Sequence, residues 1–196
     1  GGGSWATAIA KMLCENQEEI AWYMRSTYAV EHLKHQKHNP NYLSSVTFDT
    51  SKLLLTNNIN EAVVFADYII FVVPSAFLSK ELESLTESLE GKIIFSAIKG
   101  IVPETSLIVG EHFHKKYNIP FENIGVITGP CHAEEVAMER LSYLTIACSD
   151  RKKAKYVAKN LSSHYIKAKT TDDIIGTEYA AVLKNIYAIA AGMAHG

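Results

Sequence analysis

A chain of 196 residues, 47% hydrophobic and 20% charged with a formal net charge of −2 at pH 7, is long enough for one sizeable core and the beginning of a second domain. Its charges form no long basic block, since "RKKAKYVAK" (151–159) spaces them as a solvated helix face does, so no nucleic-acid partner is expected; no apolar stretch approaches the roughly 20 residues that span a bilayer, so no membrane span is expected either. Cys14, Cys131 and Cys148 are odd in number, far apart and outside any C-x-x-C pair, which argues against a disulfide framework or a zinc site and for a reducing, cytoplasmic setting.

The chain opens "GGGSWATAIAKML". A flexible linker would continue in Gly and Ser, whereas Ala6, Ile9, Ala10 and Leu13 follow at helical spacing, so the glycines read as the start of a helix with no strand before them. A strand is expected over 18–24 ("EEIAWYM"). The lysines within "HLKHQKH" make His32, His35 and His38 the face of a solvated helix, with no metal expected. A helical stretch over 60–66 leads to a strand over 68–74 ("YIIFVVP"), a helix over 76–89, a strand over 92–98 ("KIIFSAI") and a helix over 103–117. Strands over 124–128 ("IGVIT") and 144–149 ("LTIACS"), a helix over 150–161 and a last helix from about Thr177 complete the order. Several strands are apolar on consecutive positions, as when helices cover both faces. The fold class is α/β: a Rossmann-type, doubly wound, mainly parallel sheet. Its expected domains are 1–171, the dinucleotide-binding domain lacking its first strand, and 172–196, the start of a second, all-α domain.

In such sheets ligands bind at the carboxyl ends of the strands. Gly1, Gly3 and Ala6 form a G-x-G-x-x-A turn at a helix N-terminus, where unpaired N–H groups and the helix dipole suit a pyrophosphate. The strand ending "WYMRS" offers no acid for a ribose 2′-hydroxyl but does offer Arg25 for a 2′-phosphate, which tilts the cofactor toward NADP, with NAD remaining open. Lys99 at the end of "IFSAIKG" reads as a fixed positive charge beside a carbonyl or a phosphate. Lys184 is a lone amine in the apolar run "AAVLKNIYAIAAG", where desolvation is expected to lower its pKa toward the range of a proton donor. The adjacent Cys131-His132 pair lacks an orienting third group and reads as a turn lining the site, not as a nucleophile.

The run of "GGGSWATAIA", "WYMR", "NPNYL" (39–43), "VVPS", "AIKGI", "TGPCHAEE" and "LKNIYAIAAGM" resembles the N-terminal part of bacterial-type NAD(P)-dependent glycerol-3-phosphate dehydrogenases. The resemblance implies that Ser4, Trp5, Phe77, Lys99 and Ala133 contact the cofactor, and that Lys99, Gly129 and Lys184 contact the substrate; Gly1, Gly3 and Arg25 join the cofactor set on the residue grounds above, and Cys131 the substrate set with its side-chain contact left open. Lys184 would transfer the proton, with Lys99 and Asn185 beside it. The implied substrates are dihydroxyacetone phosphate and glycerol 3-phosphate, the implied assembly is a homodimer, and the substrate phosphate would be held in a helical domain of which 172–196 is the first helix. Cys131-His132 stands where many members have Ser or Thr followed by a hydrophobic residue, and Met24 where many have a basic one. Another Rossmann hydroxy-acid or phosphate-ester dehydrogenase, or a non-catalytic dinucleotide-binding module, remains open on the residues alone.

Overall fold

Small and apolar residues on nearly every side of the first helix let it sit between two apolar clusters. In the computed structural model, which describes residues 1–195, α1 (Ser4–Asn16) buries Ala6, Ala8, Ile9, Ala10 and Met12. It leads into β1 (Ile20–Tyr23) and α2 (Thr27–Gln36), whose start is capped by Ser26 Oγ accepting from Ala29 N at 3.2 Å. Next comes β2 (Leu53–Thr56), which runs parallel to β1 from Ile20 opposite Leu53 to Tyr23 opposite Thr56.

The chain continues through α3 (Ile59–Phe65), β3 (Tyr68–Phe71), α4 (Ser75–Leu82) and β4 (Ile93–Ser96). A short antiparallel hairpin, β5 (Ile101–Val102) and β6 (Leu107–Ile108), precedes α5 (Val109–Tyr117), β7 (Ile124–Thr128) and α6 (Ala133–Ala137). The remainder is β8 (Ser142–Cys148), α7 (Arg151–Leu161), β9 (Ile166–Thr171) and α8 (Ile174–His195). The main sheet has the order β3-β4-β7-β8-β9 and is parallel except at β7–β8.

Adjacent residues of β4 serve opposite cores. Phe95 packs with Ile146, Leu144 and Leu161 beneath α1 and α7, while Ile94 packs with Phe113, Val109 and Leu78 beneath α4 and α5. The unbroken apolar runs of these strands therefore correspond to burial on both faces.

The β1–β2 pair and the five-stranded sheet are separate. Between β1 and β3 lies an apolar cavity of about 390 Å³, walled by Ile9 and Leu13, Ala21 and Trp22, and Ile69 and Ile70.

Several elements differ from the sequence expectation. The helix expected over 103–117 begins only at Val109, because Pro103 to Ser106 form a turn in which Ser106 N donates to Val102 O at 2.8 Å and Ser106 takes a φ of 56°. The helix expected over 76–89 stops at Leu82, and the strand expected over 68–74 stops at Phe71, where Pro74 prepares the start of α4. Besides the β5–β6 hairpin, two further strands lack an advance signal: β2, whose "LLLT" does not alternate, and β9, an edge strand whose exposed Lys167 and Lys169 read as a polar loop. The last helix starts at Ile174, ahead of the expected Thr177.

Phe95 is wholly buried at the centre of the sheet. Phe95→Ala is expected to cost about 3–5 kcal/mol of unfolding free energy, read from urea denaturation. A loss under about 1 kcal/mol would show that this side of the sheet is not the principal core.

Candidate functional site

The carboxyl ends of β1, β3, β4 and β7 and the N-terminus of α1 open on the same end of the sheet, and the glycine turn is held there from both sides. Trp22 Nε1 donates to Gly1 O at 2.8 Å, and Gly1 N donates to Tyr23 O at 3.2 Å. The amide of Asn39, wholly buried, donates to Gly2 O at 3.1 Å and to Thr7 Oγ1 at 2.9 Å; Thr7 Oγ1 in turn donates to Gly3 O at 2.9 Å. The first bond of α1 runs from Thr7 N to Gly3 O, so the N–H groups of Ser4, Trp5 and Ala6 have no partner within the helix. No acid lies in that first turn, and the space beside Gly3 is open. Free donors, a helix dipole and room fit a phosphate group.

At the end of β1, Met24 is buried against Gly2 and its N donates to Thr56 O at 3.0 Å, so its side chain serves packing. Arg25 extends into solvent and pairs with Glu81 of α4, Nη1 to Oε1 at 2.9 Å. The other oxygen of Glu81 accepts from the Tyr23 hydroxyl at 3.2 Å. The strand end thus has an acid after all, delivered from α4. Phe77, on the same helix, is exposed.

The turn after β4 is made by Ser96 Oγ accepting from Ile98 N at 3.2 Å, and it presents Lys99. The Lys99 ammonium is held below the ordinary lysine value, first by partial desolvation and next by the neighbouring Lys184 amine, while Cys131 acts weakly in the other direction. Lys99, Lys184 and Cys131 are therefore brought together from β4, α8 and the loop after β7. Burial pushes the Cys131 thiol up, against a hydrogen bond with Ser142, so the thiol stays protonated at neutral pH. Gly129 precedes it with a φ of 144°, and a Cβ there would stand 2.4 Å from Tyr143 O. The bond from Cys131 N to Gly129 O at 3.0 Å closes this turn. Ala133 opens α6 and packs with Cys131 and Trp5 in one apolar cluster.

Two expectations are corrected. Lys184 and Asn185 are exposed, so the run "AAVLKNIYAIAAG" does not enclose Lys184; the lowered amine is Lys99. Arg25 is likewise engaged with Glu81 where a free guanidinium was expected. His32 and His38 stack edge to face at 4.9 Å, and among the described residues no group of three or more His, Cys, Asp or Glu could hold a metal ion. Nor is any described helix long and apolar enough to cross a membrane.

The supports of the site went unread in the sequence. Asn39 lies in "NPNYL", but its role depends on meeting Thr7 across 32 positions. Glu178 is buried under α8, where its oxygens accept from Gly110 N at 3.1 and 3.3 Å. Desolvation pushes its carboxyl up to about 7, opposed by backbone donors at Gly110 and Val109 and assisted by Glu111.

A family model described as the N-terminus of NAD-dependent glycerol-3-phosphate dehydrogenase matches residues 1–154. Proteins named glycerol-3-phosphate dehydrogenase (NAD(P)+) from Streptococcus agalactiae and Limosilactobacillus reuteri are each 35% identical to the chain over its whole length. The chain spans 58% and 59% of these two relatives. A solved glycerol-3-phosphate dehydrogenase from Coxiella burnetii superposes on the whole chain with a TM-score of 0.84 at 25% identity, the chain covering 59% of it. One from Plasmodium falciparum, at 24% identity, shares the fold with a TM-score of 0.85 over 94% of this chain and 54% of its own.

The raised carboxyl of Glu178 sets a pH dependence. Its folded value of about 7 lies above the ordinary 4.5, so the folded protein holds this proton more tightly than the unfolded one. The stabilisation is complete below the unfolded value and is lost as pH rises through the folded one. Wild type should therefore lose roughly 2–3 kcal/mol relative to Glu178→Gln between about pH 5 and pH 8 in paired urea titrations. Parallel curves for the two proteins would show that Glu178 ionises normally.

Proposed function

Since the chain belongs to the family of NAD-dependent glycerol-3-phosphate dehydrogenases, we propose that it provides the nucleotide-binding part of an oxidoreductase that interconverts sn-glycerol 3-phosphate and dihydroxyacetone phosphate with NAD or NADP, feeding glycerophospholipid synthesis in the cytoplasm. The observation that carries this reading is the meeting of two amines, Lys99 and Lys184, at the end of the sheet where the free N–H groups of α1 point. A binding module that only senses a nucleotide has no use for that pair.

The N–H groups of Ser4 and Trp5 beside Gly1 and Gly3 would hold the pyrophosphate, and Phe77 and Ala133 would line the rest of the cofactor site. The nicotinamide, when bound, supplies the hydride for C2 of the ketone or accepts it from the alcohol. Reduction leaves negative charge growing on the carbonyl oxygen. Lys184 gives its proton to that oxygen; Lys99 stabilises the charge before the proton arrives and holds the substrate, with Asn185 alongside. Gly129 and Cys131 line the substrate side, where Cys131, protonated and buried, shapes the wall without forming a bond. In the oxidation direction Lys184 takes the hydroxyl proton as the hydride departs.

Residues 1–171 form the dinucleotide-binding domain in this reading, and 172–196 open a helical domain that grips the substrate phosphate. The cavity between β1 and β3 is the seat of a strand parallel to both, leading into Gly1 and joining the two sheets. A homodimer is the proposed assembly.

Two measurements on the full-length enzyme test the reading. Lys184→Ala should leave cofactor affinity nearly unchanged while kcat for dihydroxyacetone phosphate reduction falls about 10²–10⁴-fold, the range for a lost general acid; near-normal kcat would remove Lys184 from the chemistry. The Arg25–Glu81 pair sets the second. With its guanidinium balanced by a carboxylate, Arg25 gives NADPH only a modest advantage over NADH, and Glu81→Gln should widen the kcat/KM ratio by about 1 kcal/mol or more, as a hydrogen bond to a charged group does. Arg25→Ala should erase the advantage. A ratio unmoved by both changes would place the 2′-phosphate elsewhere.

A further inference from the structure

Glu178 is the one buried acid among the described residues, and the proposed chemistry does not use it. Its surroundings are those of a fastening. The helix α5 starts at Val109 with no side-chain cap of its own from Ile108, and the carboxylate of Glu178 fills that role from α8, both oxygens on Gly110 N. Gly110 is shaped to receive it: a Cβ at that position would lie 2.9 Å from Glu178 Oε2 and 3.3 Å from Ile124 Cγ2. Any side chain there would push the carboxylate away or press on β7.

The rest of α8 offers little else to hold it. Of its residues only Ile174 and Glu178 are buried, and every residue from Lys184 through His195 is exposed. Ile174 packs with Val126 and Ala147, an apolar contact that lets a helix slide or roll. The two-oxygen contact to a fixed backbone N–H is directional and specifies both height and rotation. Lys184 follows six positions after Glu178, about 9 Å farther along the helix axis. An error in the pose of α8 at Glu178 is carried outward to the amine.

We infer that Glu178 is a positioning residue: by capping α5 across the chain it sets the pose of α8 and so holds the Lys184 amine against Lys99. This rests on the role given to Lys184 above. The buried carboxyl also explains why a glycine and not a larger residue opens the first turn of α5, a position at which helix propensity alone disfavours glycine.

The test compares Glu178→Ala, Glu178→Gln and Gly110→Ala with Lys184→Ala in the full-length enzyme, measuring kcat for dihydroxyacetone phosphate reduction and the NADH dissociation constant. Glu178→Ala should lower kcat by about 10²-fold, the scale of an ångström-sized misplacement, with NADH affinity within about twofold. Glu178→Gln keeps a carbonyl acceptor for Gly110 N–H and should restore kcat to within about fivefold of wild type. Gly110→Ala should reproduce the loss of kcat from the other side of the contact. A Glu178→Ala enzyme with wild-type kcat overturns the inference, as does a loss of NADH binding that matches the loss of kcat, which marks general damage to the fold. Should Glu178→Ala fail to fold, Gly110→Ala decides by the same two outcomes. If Lys184→Ala retains its kcat, the role of Lys184 fails and the inference with it; if Lys184→Ala loses kcat and Glu178→Ala does not, only the positioning inference fails.

Discussion

Burial of the central strands on both faces is the constraint from which the site follows. Ile94 and Phe95, consecutive on β4, are each wholly enclosed, one under α4 and α5 and the other under α1 and α7. Such a strand has no position for a charged side chain along its length, because an unpaired charge in either core costs several kcal/mol or more. Polar chemistry is displaced to the loops beyond the strand ends. Parallel pairing then gathers the ends of β3, β4 and β7 on one side, and the Arg25–Glu81 pair ties the end of β1 to the helix that follows β3. Lys99 and Gly129 owe their neighbourhood to this rule and not to any affinity for each other.

What the sequence discloses follows the range of the interactions involved. The glycine turn, the small-residue face of α1 and the apolar runs of β3, β4 and β7 are local patterns, and each reads directly. The turn at Pro103–Ser106 is local too, but "PETSLIVGEHFHKKY" carries a helical apolar period across it, and the period masks the hairpin of β5 and β6. Lys184 misleads for a different reason. An apolar run with small residues all round reads as a buried helix, yet burial needs a partner for each face, and α8 meets the sheet only near Ile174 and Glu178. Arg25 and Glu81 are 56 positions apart, and Gly110 and Glu178 are 68 apart. Nothing in a one-dimensional pattern distinguishes these acids from the solvated ones around them.

Buried polar groups mark the joints. Asn39 ties the loop after α2 to the glycine turn and to Thr7, so the anion-binding N-terminus of α1 is fixed by a side chain from outside its own element. Glu178 does the same for α5 and α8. His112 is a third case: wholly buried, it meets Thr105 Oγ1 through Nδ1 at 3.3 Å, and burial holds it below the ordinary histidine value, hence neutral near pH 7. Each replaces adaptable apolar contact with a bond of fixed direction, and an unmade bond in such a place costs more than a made one gains. The scaffold thereby acquires definite relative poses for its helices, which hydrophobic contact alone specifies loosely.

Beyond its anchor α8 carries an apolar stripe on one side and Lys184 on the other. Ile175, Tyr179, Ile186, Ile189 and Met193 recur at spacings that align them on one side of the helix, all exposed, forming the kind of patch that monomeric soluble surfaces seldom carry without use. In the proposed enzyme this stripe is the floor on which the helical substrate domain sits. Lys184 stands on the opposite side of the helix, half a turn round from the stripe, so covering the stripe leaves the amine facing Lys99. Two neighbouring amines attract a phosphorylated ketone, and partial desolvation followed by the Lys184 charge holds the Lys99 ammonium below its ordinary value. The strand end thus supplies one charge and α8 the other, on the side its apolar stripe leaves uncovered, with the buried Glu178 as the joint between helix and sheet.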